Sequence, residues 1–274
     1  MSAAARQHSP GPWLVALDVD GTVLHHDDRL DLAVIEAARA AEARGHAVTL
    51  ATGRSWATAG PILHRVGIRP EYVVCANGAI TMQRDDSHPT GYVPIHVETF
   101  DPTQVLEQIR HYLPAGKFMV ELPDGFRLYT PGMIEWNLEN AREVSFEGLL
   151  DQRATRVVAV SLDHGLEEFF EIVERMGLHH VSYAVGVSAW LDVAPSGVNK
   201  ATALERVRGW LDIPLDRVLA MGDGLNDLEM FHWAGAAGRA IAMGQAQRQV
   251  QDAATEVAPS VDECGVAVVL STLP

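Results

Sequence analysis

Four short clusters of polar residues in this sequence carry side chains that could do chemistry. They are Asp18-Val19-Asp20-Gly21-Thr22, Ala51-Thr52-Gly53-Arg54-Ser55, Lys200 within SGVNKATAL, and Gly222-Asp223-Gly224-Leu225-Asn226-Asp227. Two carboxylates two residues apart can face one cavity where the chain turns sharply, and Gly21 permits such a turn. The second cluster offers a hydroxyl and, where a helix starts, free backbone N–H groups that suit an anion.

Brought together, these clusters would form a site for a divalent cation and a phosphoryl group. Their four carboxylates would repel one another unless a cation lay among them. Mg²⁺ fits, since it takes oxygen ligands, needs few protein donors and keeps water and substrate phosphate as the remainder. Carboxylates, Mg²⁺, the amine of Lys200 and a threonine hydroxyl are the components of a phosphoryl-transfer site.

Each cluster taken alone also has an ordinary structural explanation. An aspartate after a strand often caps a helix, Thr-Gly-Arg often forms a turn, and a lysine in a first helical turn is usually solvated although it opposes the helix dipole. The last cluster lacks the later glutamate of an EF-hand, and the chain has no P-loop or dinucleotide-binding sequence. The chemical interpretation therefore depends on the clusters meeting in space.

Predicted buried strands end at three of the four clusters. WLVALDV (13–19), HAVTLAT (46–52) and DRVLAMGD (216–223) are apolar runs typical of parallel strands, as is EYVVCA (71–76). Helices are predicted at 30–44, with a face formed by Leu32, Ile35, Ala38 and Ala41, and at 56–67, 198–211, 225–235 and 246–254. This alternation predicts a doubly wound, Rossmann-like α/β core whose parallel sheet collects the clusters at its carboxyl edge.

The segment between the two halves of this core has a different character. KFMVEL and FRLYT flank the turn signal Pro123-Asp124-Gly125, and RVVAVSL precedes the amphipathic stretch LEEFFEIVERMG. Paired strands mixed with helices predict an α+β unit with an antiparallel sheet. We therefore predict a flexible tail at 1–12, a core formed by 13–82 and 193–274, and an inserted domain at 83–192.

Composition narrows the classes of partner and location. The chain has 274 residues and a net charge of −15; the length suits about two domains, and the charge disfavours nucleic acid and anionic membranes. If the net charge were spread evenly over the chain, it would also disfavour an anionic substrate. Cys75 and Cys264 are too few for a disulfide scaffold or a four-thiolate zinc site, so we expect free thiols. Without a signal-peptide pattern or a long apolar run, we expect a cytoplasmic protein.

In order along the chain, the clusters resemble the four sequence motifs of the haloacid dehalogenase-like hydrolase superfamily. DVDGT (18–22), ATGR (51–54), Lys200 in GVNKATAL and GDGLNDLEM (222–230) match, and CANGA (75–79) resembles a segment common in Cof-type phosphatases. The resemblance implies a Mg²⁺-dependent Cof-type phosphatase with a large α/β cap of the C2 type inserted in its core. Its substrates would be small phosphorylated metabolites, such as sugar phosphates, nucleotides or cofactor phosphates.

The resemblance also implies roles for individual residues. Asp18 would be the nucleophile that forms an aspartyl-phosphate, and Asp20 would be the general acid and then the general base. The metal would be bound by Asp18, Asp223 and the backbone carbonyl of Asp20. Asp227 would contact these ligands without touching the metal, or would bind the metal through a water molecule. The implied substrate-binding residues are Thr52, Gly53, Lys200 and Asn226.

Specificity would come from the predicted cap, which closes over the site in this family. Cap residues that could line the closed site are Lys117, Arg127, Tyr129, Trp136 and Trp190, although surface and packing roles are commoner for such residues. The twelve histidines contain no H-E-x-x-H sequence, so zinc is not favoured.

Three other functions share some of these features. A phosphomutase of the phosphomannomutase type could use the same scaffold, and the core motifs do not separate it from a phosphatase. A receiver-like phospho-aspartate protein is disfavoured because its acceptor follows the third strand, whereas Asp18 follows the first. A non-catalytic binder is disfavoured by the intact set of Asp18, Asp20, Lys200 and Asp223. Oligomeric state is left open.

Overall fold

The structure is a computed structural model that describes residues 11–133, 140–178, 181–185 and 189–274. Residues 1–10 of the predicted tail and Trp136 of the predicted cap lie outside this range. The strands are β1 (Leu14–Leu17), β2 (Ala47–Leu50), β3 (Tyr72–Cys75), β4 (Ile80–Arg84), β5 (Tyr92–Val97), β6 (Lys117–Glu121), β7 (Arg127–Tyr129), β8 (Ala141–Glu143), β9 (Arg156–Val160), β10 (Val181–Val185), β11 (Trp190–Pro195), β12 (Val218–Gly222), β13 (Arg239–Ala242) and β14 (Glu256–Val257).

In the part of the chain that the structure describes, eight helices accompany these strands, two of them in the inserted unit and six around the main sheet. They are α1 (Leu32–Ala43), α2 (Trp56–Val66), α3 (Thr103–Tyr112), α4 (Leu166–Met176), α5 (Lys200–Trp210), α6 (Leu228–Gly235), α7 (Arg248–Ala253) and α8 (Gly265–Leu270). Among the described residues, no helix combines the length and the apolar character needed to cross a bilayer.

A parallel five-stranded sheet forms the core, in the order β14-β13-β12-β1-β2. β1 lies between β12 and β2 and pairs in parallel with both. Its residues alternate between two apolar clusters, because Val15 and Leu17 pack on one face and Leu14 and Ala16 on the other. α1, α2 and α8 cover the first face, whereas α5, α6 and α7 cover the second. The predicted doubly wound α/β core is confirmed.

The buried face of α1 differs from the predicted one. Leu32 is 66% exposed, and the buried residues of the helix are Val34, Ala38 and Ala41. These three recur at i, i+4 and i+7, which also forms a single helical stripe. The prediction is confirmed for Ala38 and Ala41, which are buried, and wrong for Leu32; Ile35 is only partly buried. α1 also packs against α8, an element that the sequence analysis did not identify.

A three-stranded antiparallel sheet, β3-β4-β5, follows the core strands. One parallel bridge between Ala51 and Val74 joins it to the end of β2. The predicted domain boundary between residues 82 and 83 falls inside β4, and Tyr92 of β5 packs in the cluster on the β1 face that Val15 and Leu17 occupy. The predicted division at residues 83 and 192 stays a prediction.

The inserted α+β unit contains a six-stranded sheet in the order β10-β11-β9-β6-β7-β8. All its pairs are antiparallel except β7 with β8. α3 and α4 pack on one face through residues such as Leu106, Ile109 and Phe169. α3 was not predicted, although the spacing of its buried Val105, Leu106 and Ile109 could have indicated it. We call this unit the cap.

Both cysteines are free among the described residues. Cys75 is buried at the end of β3, where burial raises the pKa of its thiol. Cys264 is only half-buried, beside Asp31. We expected both thiols to be free and buried; both are free, but only Cys75 is buried.

The turn between β3 and β4 makes a close backbone approach to α5. Gly78 has a φ of +101°, and a Cβ placed there would lie 2.2 Å from the carbonyl oxygen of Asn199. Asn199 in turn caps α5, because its side chain accepts the Thr202 N–H. Glycine at position 78 therefore lets the β3–β4 turn pack directly on the residue that precedes Lys200.

We expect Gly78→Ala to lower the free energy of unfolding by about 3 kcal/mol, since a left-handed φ and a backbone overlap both add cost. Gly91→Ala is the matched control. Gly91 also has a positive φ, 72°, but no described atom lies within 4 Å of its Cβ position. A loss of about 1 kcal/mol is expected there in urea denaturation. Equal losses in the two variants would contradict the close-packing argument.

Candidate active site

The carboxyl ends of three neighbouring core strands bring the predicted clusters together. Asp18 comes directly after β1, Thr52 lies two residues after β2, and Asp223 comes directly after β12. The Asp18 N–H donates to the Met221 carbonyl at 2.9 Å, which extends the β1–β12 pairing to the edge of the sheet. Ligands bind at this edge in open α/β sheets.

Lys200 is fully buried between two of the predicted carboxylates. Its Nζ lies 2.5 Å from Asp18 Oδ1 and 2.7 Å from Asp227 Oδ1. Burial alone would lower the pKa of this amine, but the two carboxylates hold it above its usual range. The chain has only one other lysine, Lys117. The structure thus joins the first, third and fourth clusters through one ammonium group.

Asp227 also holds the loop that carries Asp223. Its Oδ2 accepts the N–H groups of Asp223 and Gly224, both at 3.0 Å, while its Oδ1 accepts from Lys200. A short 3₁₀ turn, Leu225–Asp227, places the carboxylate beneath the loop. One buried side chain therefore orients both the loop backbone and the lysine.

Three carboxylates form a group that could hold a metal ion. One oxygen each from Asp18, Asp223 and Asp227 lies within 4.8 Å of the others. Burial raises the pKa of Asp18 well above its ordinary value despite Lys200, and burial followed by the charge of Asp227 raises that of Asp223 to about 6. An all-oxygen cluster with excess negative charge fits a hard divalent cation.

Asp20 lies outside this group and is 52% exposed. Arg54 Nε donates to Asp20 Oδ2 at 2.9 Å, and Arg54 Nη2 reaches both Asp20 and Asp28. The hydrogen bond to Asp20 raises the pKa of the Arg54 guanidinium. The described geometry therefore pairs the second predicted carboxylate with a cation of the protein rather than with Lys200.

The predicted substrate-binding residues fall into two groups. Gly53 and Asn226 line a cavity of about 650 Å³ that also includes Asp18, Asp20 and Asp223. Lys200 contacts Asp18 from below this cavity. Thr52 is fully buried and lies outside the cavity lining, and its hydroxyl accepts the Arg54 N–H at 3.0 Å.

Cap residues close the opposite side of this cavity. Of the five predicted cap residues, Arg127 and Trp190 line it. Lys117 and Tyr129 lie outside its described lining; Tyr129 packs instead against the cluster of Met119, Met133 and Val158. Trp136 falls outside the described residues.

Apart from Arg127, the sequence analysis missed a row of buried charges on the cavity face of the cap. Arg127, Glu121 and Arg156 face one another across β7, β6 and β9, and Asp192 on β11 completes the row. Arg156 donates two hydrogen bonds of 2.7 Å to Asp192, and Arg127 donates to Glu121 at 3.2 Å and to Ser55 Oγ at 2.5 Å. Charged residues within apolar strand sequences were the available signal.

A family model matches both halves of the core together with the cap. Residues 15–270 match the model of the haloacid dehalogenase-like hydrolases. The parallel core with its carboxylate-lined edge defines an enzyme of the phosphoryl-transfer type. The chain belongs to the haloacid dehalogenase-like hydrolase family.

Curated relatives of this chain are phosphatases. Phosphatase YwpJ of Bacillus subtilis is 27% identical, over 95% of this chain and 99% of the relative. The HMP-PP phosphatase of Yersinia enterocolitica is 27% identical, over 87% of this chain and 86% of its own length. The chain is a phosphoric monoester hydrolase, and the predicted Cof-type family is confirmed.

Solved structures show the same fold. A sugar phosphatase of haloacid dehalogenase subclass IIB superposes with a TM-score of 0.76 at 20% identity, over 94% of this chain and 98% of that one. A haloacid dehalogenase-like hydrolase from B. subtilis gives a TM-score of 0.75 at 24% identity, over 95% and 99%. The predicted core with an inserted α+β cap is confirmed as the fold class.

We expect Lys200→Met to lower the free energy of unfolding by about 3–5 kcal/mol at pH 7.5, because it leaves two buried carboxylates without their counter-charge. A carboxyl whose pKa is higher in the folded than in the unfolded protein stabilises the fold when it is protonated. This contribution is complete at pH values below the pKa in the unfolded chain, and it is lost as pH rises through the pKa in the folded protein. The loss should therefore shrink at pH 5, as Asp18 gains its proton. Urea denaturation in EDTA measures both values.

Lys117→Met is the matched control, because Lys117 is the other lysine and is partly exposed. Its substitution should cost less than about 1 kcal/mol and should not depend on pH over this range. If the two variants lost equal stability, or if the Lys200 variant lost as much at pH 5 as at pH 7.5, the buried charge pairing would be contradicted.

Proposed function

We propose that this chain is a Mg²⁺-dependent phosphatase that hydrolyses small phosphate monoesters through an aspartyl-phosphate on Asp18. One observation carries the proposal: the Lys200 ammonium lies fully buried against Asp18, at a cavity that a phosphate ester could enter. Lys200 offsets the negative charge of both the nucleophile and the incoming phosphoryl group. Without such a cation, a carboxylate would repel a phosphate dianion.

In the first step, an Asp18 oxygen attacks phosphorus as the bond from phosphorus to the ester oxygen breaks. Asp20 gives its proton to the leaving alcohol. Asp20 is suited to this role because it lines the cavity from its solvent-exposed side, whereas Asp18 is buried. In the described geometry Asp20 is bound by Arg54, so we propose that Asp20 leaves this ion pair and takes a proton from solvent before the first step.

In the second step, Asp20, now ionised, takes a proton from a water molecule that attacks the phosphorus of the aspartyl-phosphate. The bond between phosphorus and Asp18 breaks, which returns the carboxylate and releases inorganic phosphate. Gly53 and Asn226 lie at the cavity wall, where their N–H groups can donate to phosphoryl oxygens. Thr52, buried behind the cavity lining, holds the backbone of Arg54 in the described geometry and reaches the phosphoryl group only through a local shift.

The oxygen donors at the sheet edge fit the proposed Mg²⁺. Asp18, Asp223 and the backbone carbonyl of Asp20 would hold the ion, with Asp227 fixing the loop from behind. When bound, Mg²⁺ supplies electrostatic stabilisation of the charge on the transferring phosphoryl group. The chain's own contribution is a preformed group of three carboxylates within 4.8 Å.

The substrate class follows from the cavity and from the relatives. A volume of about 650 Å³ lined by charged and polar groups suits a sugar phosphate, a nucleotide or a cofactor phosphate. Similar proteins include an HMP-PP phosphatase and a 5-amino-6-(5-phospho-D-ribitylamino)uracil phosphatase, whose names indicate small phosphorylated metabolites as substrates. The cytoplasmic location and the lack of a nucleic-acid partner remain part of this proposal.

We expect Asp18→Asn to reduce release of inorganic phosphate by roughly a thousandfold or more, because an amide cannot replace the carboxylate as nucleophile. The assay uses p-nitrophenyl phosphate and a panel of sugar phosphates, nucleotides and flavin mononucleotide with Mg²⁺. Asp86→Asn, on the exposed β4–β5 connection, is the control and should keep full activity. Turnover by a clean Asp18→Asn preparation would overturn the assignment, and isomerisation of a phosphosugar without phosphate release would indicate a mutase.

Removal of a metal ligand gives a separate test that needs no substrate. Mg²⁺ at one hundred times its dissociation constant should raise the free energy of unfolding of the unaltered protein by about 2.7 kcal/mol. Asp223→Asn should abolish most of this increment, whereas Asp86→Asn should retain it. Urea denaturation with and without Mg²⁺ measures the effect. A stabilisation that survived Asp223→Asn would place the ion elsewhere.

A further inference from the structure

We infer that Asn77 is a positioning residue that fixes the cap relative to the loop after β12, which carries Asp223 and Asp227. This inference rests on the proposed function. Asn77 lies in the CANGA segment, in the turn between β3 and β4. Its side chain makes one hydrogen bond to the core loop and one to the cap. The specific claim is that both bonds are needed to hold the cavity in its working shape.

The core bond reaches the loop that carries the metal-binding carboxylates. Asn226 Nδ2 donates to Asn77 Oδ1 at 3.0 Å. Asn226 is the residue before Asp227, whose carboxylate holds both Lys200 and the Asp223 backbone. A displacement of Asn77 therefore acts directly on the loop that orients these groups.

The cap bond reaches the row of buried charges over the cavity. Asn77 Nδ2 donates to Asp192 Oδ2 at 3.1 Å, and the same carboxylate accepts two hydrogen bonds from Arg156. Asp192 and Arg156 both line the cavity that contains Asp18. A neutral amide is suited to this place, because it can accept from one partner and donate to the other.

The backbone around Asn77 fixes it to the second cluster. Its N–H donates to the Thr52 carbonyl at 3.0 Å, and the Ala76 N–H donates to the Arg54 carbonyl at 2.9 Å. Asn77 has a φ of +50°, a left-handed conformation that asparagine tolerates better than most residues. A Cβ on Gly53 would lie 3.1 Å from Asn77 Oδ1, so this glycine leaves room for the side chain.

Asn77 therefore contacts three separate parts of the site at once. Its backbone contacts the Thr52–Arg54 segment, its carbonyl oxygen contacts the loop of Asn226, and its amide nitrogen contacts the cap. A second hydrogen bond between cap and cavity wall runs from Arg127 to Ser55 Oγ. Because the Asn77 bond lies between the cap and the loop of Asn226, its loss acts on both walls of the cavity.

Exchanging the amide and the carboxylate between positions 77 and 192 tests the cap bond. Asn77→Asp keeps the shape of the side chain and its bond from Asn226, but places a carboxylate against Asp192. Asp192→Asn in the same chain restores a donor facing position 77, while Arg156 keeps Glu121 across the β6–β9 pairing as a counter-charge. Repulsion in the single variant and its relief in the double variant are the expected signs of a direct contact.

We expect Asn77→Asp to lower kcat/KM for p-nitrophenyl phosphate about tenfold, mainly through KM, and the double variant to recover to within about threefold of the unaltered protein. Asn140→Asp is the matched control, because Asn140 also has a left-handed φ, 57°, and is exposed. It should leave KM unchanged. Full activity of Asn77→Asp, or a double variant no better than the single one, would overturn the inference.

A second readout needs neither metal nor substrate. In urea denaturation with EDTA, Asp192→Asn should lower the free energy of unfolding of the unaltered chain but raise that of the Asn77→Asp chain. Additive effects would contradict the contact. If Asn77→Asp does not fold alone, Asp192→Ala breaks the same bond from the cap side and should show the same rise in KM.

These readouts separate two kinds of failure. If the unaltered protein released no phosphate from any ester, the proposed function would be wrong. The unfolding free energies of Asn77→Asp, Asp192→Asn and the double variant would still show whether Asn77 couples cap and core. If phosphate release were normal but the two substitutions had additive effects on the free energy of unfolding, only the role of Asn77 would be contradicted.

Discussion

The site depends on one buried ammonium group between two buried carboxylates. Lys200 lies against Asp18 and Asp227, and these three residues come from the start of α5, the end of β1 and the loop after β12. Burying any one of these charges alone would cost several kcal/mol, so each requires the others. The interaction stabilises the fold locally and also places the proposed nucleophile, Asp18, next to the proposed phosphate-binding cation, Lys200.

The parallel sheet makes this arrangement possible, because β1 and β12 are neighbours and end at the same edge. Their pairing ends at Leu17 and Met221, so Asp18 and the loop after β12 emerge side by side, and the bonds from the Asp223 and Gly224 N–H groups to Asp227 hold Asp223 close to Asp18. The cap faces this edge with a row of side chains of alternating charge, which form pairs of opposite sign. Polar contacts such as Arg127 to Ser55 and Asn77 to Asp192 then join two units whose apolar clusters are separate.

Much of the core and of the central site could be predicted from the sequence. An apolar run that ends in two aspartates predicts both a buried strand and a carboxylate at its edge, and the alternation of elements predicts that these edges meet. The burial of Lys200 could not be predicted, because a lysine in a first helical turn is normally solvated. The partners of Arg156 and Glu121 depend on the register of β6, β9 and β11, which only the folded chain defines. Leu32 was misplaced because α8 decides which face of α1 is buried.

The net charge of −15 does not oppose an anionic substrate, because the substrate meets local charges rather than the average of the chain. In the cap, Arg127 with Glu121 and Arg156 with Asp192 are matched, so this row contributes little net charge over the cavity. The positive charge nearest Asp18 is that of Lys200, with Arg54 bound to Asp20 at the rim. Because Lys200 is shared by two carboxylates, the proposed Mg²⁺ would supply the remaining positive charge that draws a phosphate ester to the end of the cavity next to Asp18. The matched charges of the cap row would then leave selection of the leaving group to shape and hydrogen bonding.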